Sequence, residues 1–129
     1  MKYEEFVARV RERGEYDSAA EAQQVISVVV TCLAERLQPD EARQLGAQLP
    51  TELRDALASA VGGGLRVGVT EFLRKVSDGT GATERTAEWD ASAVLSTIAE
   101  AVTGGELNDV LTQLPSGYAV LFGRPGVTG

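Results

Sequence analysis

The sequence predicts an all-α protein: two tandem, pseudo-symmetric helical units of about four helices each, packed into one compact bundle. Three observations lead there. Apolar residues recur at i, i+3, i+4 and i+7, the stripe of an amphipathic helix. No region sustains the period-two alternation of a half-buried strand. The order and spacing of the first half return in the second after roughly 65 residues, longer than the common solenoid periods.

Tyr3, Phe6, Val7 and Val10 share one helical face, and Gly14 is a plausible stop. Ser18 and Glu21 have capping-box spacing. Behind them Ala22, Ile26, Val29, Val30, Leu33 and Leu37 form a stripe that Val25, Val28 and Cys32 widen. So broad an apolar surface predicts a central helix. Pro39 suits a first helical position, with Asp40 and Glu41 in the first turn and Ala42, Leu45 and Leu49 inward. Pro50 marks a boundary, and Leu53, Ala56 and Leu57 predict a short fourth helix.

The pattern then restarts. Val69, Phe72, Leu73 and Val76 repeat the first spacing, and Thr83 stands where Ser18 stood after a one-residue shift. Ala91, Val94, Leu95, Ile98 and Val102 match Ile26, Val29, Val30, Leu33 and Leu37. Glu106 matches Glu41, and Gln113-Leu114-Pro115 matches Gln48-Leu49-Pro50. Tyr118, Leu121 and Phe122 match Leu53, Ala56 and Leu57. The expected organisation is unit 1 at residues 1–60, a Gly-rich linker at 61–68, unit 2 at 69–122 and a frayed tail at 123–129. The linker glycines lack the Lys-Ser or Lys-Thr pair of a phosphate-binding loop.

Tyr3-x-x-Phe6-Val7 and Val69-x-x-Phe72-Leu73, each followed by a long apolar helix, Glu-Ala or Glu-Leu and Gln-Leu-Pro, resemble a bacterial family, domain of unknown function 2267. The resemblance spans nearly the whole chain except the tail. It implies a small, helical, internally duplicated protein, and supplies no activity, cofactor or catalytic residue. Arginine outnumbers lysine ten to two, which fits a GC-rich bacterial genome.

Composition narrows the function. The chain has 129 residues, 43% of them hydrophobic but only 5% aromatic, so the core must be aliphatic. The net charge of −7 argues against nucleic acid and against an anionic membrane surface. No run approaches the ~20 apolar residues of a membrane span, and Glu4, Glu5 and Arg9 interrupt any secretory signal. A cytoplasmic location is expected.

The sequence has no histidine, the commonest general base and metal ligand, and only one cysteine. No metal site and no cofactor are expected. Glu35 with Glu41, or Glu100 with Glu106, could be imagined as a carboxylate pair across a cleft. Their simpler reading is surface charge, with Glu41 and Glu106 favoured in first turns by the helix dipole. Ser77-Asp78-Gly79-Thr80-Gly81 reads as a turn. Cys32 reads as a buried structural thiol, although Arg36 at i+4 could help form a thiolate.

The expectation is therefore not an enzyme but a non-catalytic protein-interaction or scaffold module, working with an unknown protein partner or as a homo-oligomer. The alternative is a small-ligand sensor with an apolar pocket between the units. The candidate contact residue is Trp89, the only tryptophan. It falls on the helix face opposite the stripe, with Ala93, Ser96 and Glu100, where the first half has Gln24. Such a side chain must pack against a neighbouring segment, such as the Thr80–Thr83 loop or the other half, or else anchor a partner.

Overall fold

The computed structural model describes residues 1–58 and 66–124. Among them are seven α-helices, one 3-10 turn and no strand. The helices are α1 (Tyr3–Gly14), α2 (Ala19–Arg36), α3 (Pro39–Gly46), α4 (Thr51–Ala58), α5 (Val69–Thr80), α6 (Glu84–Ala101) and α7 (Gly104–Thr112). The 3-10 turn is Ser116–Tyr118.

Local signals set most of the boundaries. Ser18 Oγ accepts from the Glu21 amide at 3.1 Å and starts α2. Thr83 Oγ1 does the same for the Thr86 amide at the start of α6, and Thr103 Oγ1 for the Glu106 amide at the start of α7. Pro39 occupies the first turn of α3. The Ser77–Gly81 stretch is not a free turn. Its first four residues close α5, and Gly81 is the left-handed cap at φ 78°. Gly79 lets α5 approach α2, because a Cβ there would sit 2.6 Å from Val28 Cγ1.

The end of α1 departs from expectation. Gly14 is the last helical residue, and Glu15 takes the left-handed cap at φ 55°. Glycine is needed at 14 for space, since a Cβ would lie 2.0 Å from the Tyr16 ring.

Helix α2 packs against α1, α4, α5 and α6 at the centre, as its broad apolar surface requires. Phe6, Val29, Val30, Leu33, Phe72, Leu95 and Ile98 lie in one continuous core. The segment expected as a fourth helix of the second half is instead the 3-10 turn and the turns after it. Its amides bond three residues back, from Tyr118 N to Pro115 O through Gly123 N to Val120 O. Ser116 and Gly117 are weak helix formers at the start of a very short segment, so an α-helical nucleus is too costly. Tyr118, Leu121 and Phe122 still reach the core.

Ala93, expected on the outer face of α6, is buried, because α6 packs against α1 as well as α2 and α5. Of the expected linker, 61–65 lies outside the described residues, and Arg66 to Gly68 lead into α5 without regular structure. Of the expected tail, 125–129 lies outside them as well. No described helix is long and apolar enough to cross a membrane.

Candidate functional site: two polar seams

Two polar seams join the first four helices to the last three. The first lies between α1 and α6. Glu100 on α6 pairs with Arg9 and Arg13 on α1. Arg13 Nη1 also donates to Thr97 Oγ1 at 2.9 Å, and that buried hydroxyl in turn donates to the Ala93 carbonyl. The hydrogen bond from Arg13 lowers the Glu100 pKa, as do both arginine charges, against a smaller opposing effect of burial.

At the C-terminal end of α1, Tyr16 Oη donates to Asp90 Oδ1 at 2.6 Å. Asp90 is 4% exposed. Burial raises its pKa and the bond from Tyr16 opposes the rise. Burial and the Asp90 carboxylate both raise the Tyr16 pKa. Trp89 is beside them, 50% exposed, with its Nε1–H donating to the Gly14 carbonyl at 3.0 Å. One edge of this side chain is thus tied to α1, and half of its surface is exposed. Trp89, Tyr16 and Asp90 line a cavity of about 350 Å³ with Glu15, Glu21 and Thr86.

The second seam lies between α3 and α7. Glu41 and Glu106, expected at the surface, are only 6% and 8% exposed. They face one another rather than Glu35 or Glu100. Glu41 Oε1 accepts from Gln113 Nε2 at 3.1 Å, and Gln48 Oε1 accepts from the Thr103 amide at 2.8 Å. Among the described residues, no donor reaches the buried second oxygen of either glutamate. Burial, a hydrogen bond with Glu41 and the charges of Glu41 and Asp109 push the Glu106 pKa up to about 7. A buried carboxyl facing a second carboxylate favours its protonated form.

Beside this seam Arg36 donates from Nε to the Val67 carbonyl at 2.9 Å and lies 5.7 Å over the Tyr118 ring. Tyr118 Oη donates to the same carbonyl, so two side chains hold the entry to α5. The adjoining cavity, about 440 Å³, is lined by Arg36, Gln38, Arg66 and Gln113 as well as Val67 and Pro115. Its walls combine the cationic side chains of Arg36 and Arg66 with apolar surface from Val67 and Pro115. The Arg36 guanidinium is thus held by the Val67 carbonyl. Cys32 is buried, and its thiol is pushed up to about 11 by burial first and then by Glu35. Among the described residues no group of three or more potential ligands is placed to hold a metal ion.

Of the residues singled out from sequence, Trp89 thus lines the cavity beside Tyr16 and Asp90, and Cys32 is in the core. Asp90 and Tyr16 were missed. Asp90 had a signal: its neighbours on the wheel, Ala87, Ala91 and Val94, are all inward, so a charge there is anomalous. Tyr16 is in a loop, where periodicity says nothing.

The architecture defines a class, a small all-α protein whose central helices are bracketed by two polar seams. The chain belongs to the family described as an uncharacterized conserved protein, DUF2267, whose model matches residues 3–121. No curated protein matches it.

Proposed function

We propose that this chain is a non-catalytic protein-interaction module built from two diverged copies of one helical unit, residues 1–60 and 69–122. The duplication is supported by paired elements: α1 and α5 have 12 residues each, and α2 and α6 have 18 each. It is also supported by reciprocity at the α3–α7 seam. Gln113 reaches Glu41 in the first turn of α3, and Gln48 reaches Thr103 at the cap of α7. An approximate two-fold axis through the Glu41–Glu106 pair would generate that arrangement.

The observation that carries the interaction reading is Trp89. Its indole is fixed by the bond to Gly14 while half of its surface is exposed. A large aromatic held in place loses little conformational freedom on binding, which is what a contact anchor needs. The carboxyls that could suggest catalysis, Glu41 and Glu106, are turned toward each other inside a seam and not toward a substrate cleft.

The test uses a displayed peptide library panned on the full chain and on Trp89→Ala, with tryptophan emission as the readout. The wild-type chain should enrich ligands, and its emission, red-shifted when dilute, should move to the blue as they bind. Trp89→Ala should melt cooperatively and lose those ligands. A blue shift with concentration alone would make a second copy the partner. Deep-blue emission at every concentration, with Trp89→Ala unfolded, would make the residue part of the core and end the reading.

A further inference from the structure

The cavity beside Trp89 has an unusual balance of charge. Glu15, Glu21 and Asp90 line it together with the Tyr16 and Trp89 rings, and no lysine or arginine does. The arginines of α1 are committed elsewhere, and Arg85, one turn before Trp89 on α6, is exposed and does not line the cavity. Arg9 and Arg13 pair with Glu100, and Arg11 donates to the Tyr16 and Asp17 carbonyls. The seam cavity, by contrast, is lined by Arg36 and Arg66, and the groove at Glu100 by Arg13 and Arg124.

Asp90 makes the imbalance costly. It is 4% exposed, and Oδ1 accepts its hydrogen bond from a neutral phenol. A buried carboxylate without a cation bears a desolvation cost that only an opposite charge offsets well. The ring beside it attracts the same kind of group, because the face of an indole carries negative potential. The two features point to one guest.

We infer that this cavity receives an arginine side chain from a partner polypeptide, with the guanidinium against the Trp89 ring and within reach of Asp90 and Glu21. The inference rests on the interaction reading above and supplies the chemistry of the partner. Arginine fits better than lysine, since a planar guanidinium can stack on a ring and still bond carboxylates at its edge. About 350 Å³ has room for the guanidinium and its stem. The net charge of −7 draws a cationic segment toward the surface.

The experiment titrates the 15N-labelled full chain with acetyl-Gly-Arg-Gly-amide and, in parallel, with the neutral acetyl-Gly-Gln-Gly-amide. The arginine peptide should give saturable shifts at the Trp89 indole N–H and at the Glu15, Tyr16 and Thr86 amides, weakening with added salt. The glutamine peptide should not. Trp89→Ala should weaken binding roughly tenfold, and Glu21→Gln, an exposed change that leaves the core alone, roughly threefold. Equal shifts with both peptides, shifts scattered over other acidic surfaces, or an unchanged affinity in Glu21→Gln would overturn the inference. Library ligands that need Trp89 but contain no arginine would overturn it too and leave the interaction reading standing. Library ligands indifferent to Trp89 would remove that reading itself.

Discussion

Where α1 meets α6, opposite charges meet near solvent: Glu100 takes two arginines and is 36% exposed at its side chain. Where α3 meets α7, like charges meet in the interior, with Glu41 and Glu106 both under 10% exposed. Both contacts join the same two stretches of chain, yet they respond to acid in opposite directions. The Glu100 pKa is lowered, so its contribution is present above the ordinary glutamate value and is lost as pH falls through the lowered one. The Glu106 pKa is raised, so its contribution is complete below the ordinary value of 4.5 and is lost as pH rises toward about 7. Asp90 shares the second sign although it belongs to the first seam, because burial raises its pKa without a cation to oppose it. Position in a seam therefore does not decide the response; the presence of a cationic partner does.

The largest expected effect comes from removing the like-charge contact. Glu106→Gln keeps the shape and loses the ionisable group. Near pH 4.5 the wild-type carboxyl is already largely protonated, and the variant should match it closely. Above pH 7 the variant should be more stable by roughly 3 kcal/mol, since the shift from 4.5 to about 7 is worth that order of energy. Thermal melts of both proteins from pH 4.5 to 8.5 would show a gap opening with pH. A gap that stays constant, or a variant that loses ground as pH rises, would show that ionising Glu106 in this seam carries no cost.

A smaller effect is expected at the other seam. Arg13→Gln removes one partner of Glu100 and one bond to Thr97, which still donates to the Ala93 carbonyl. The loss should be small, as for other partly exposed pairs, and should shrink in high salt and at low pH. Melts in low and high salt measure it. A loss larger than the Glu106→Gln gain, unaffected by salt, would mean that burial and not charge governs this seam.

The contrast also explains what was legible in the sequence. Periodicity and caps are local, so Ser18, Thr83, Pro39 and the stripes of α2 and α6 could be read directly. Glu41 and Glu106 have the ordinary first-turn setting of a helix-dipole carboxylate, and only the packing of α3 on α7 makes them a buried pair. A wheel drawn for one helix cannot report what covers its polar side. For the same reason Ala93 was placed outside while α1 in fact covers it. Trp89 was recognisable as an exception to the stripe, but its hydrogen bond to Gly14 depends on residues 75 positions apart.

The smallest effect lies at the C-terminal ends of α1 and α5. Helix α5 ends on Gly81 at φ 78°, whereas α1 ends on Glu15 at φ 55°. The left-handed region costs an L-residue about 1 kcal/mol that glycine does not bear. A carboxylate at a helix C-terminus adds a small unfavourable term with the helix dipole. Glycine also makes the unfolded chain freer, which offsets part of the gain. Glu15→Gly should therefore stabilise the chain by roughly 0.5 kcal/mol, while Glu15→Ala, which keeps the strained φ, should gain less. Denaturant melts of the three proteins decide this; an alanine variant at least as stable as the glycine one would mean that φ is not the source of the cost. Both variants also remove a carboxylate from the rim of the Trp89 cavity. If that cavity takes an arginine, each should bind the arginine peptide more weakly than wild type, and Glu15→Gly would gain stability as it loses affinity. Such a trade would give a reason for a glutamate to stand where the other helix end has glycine.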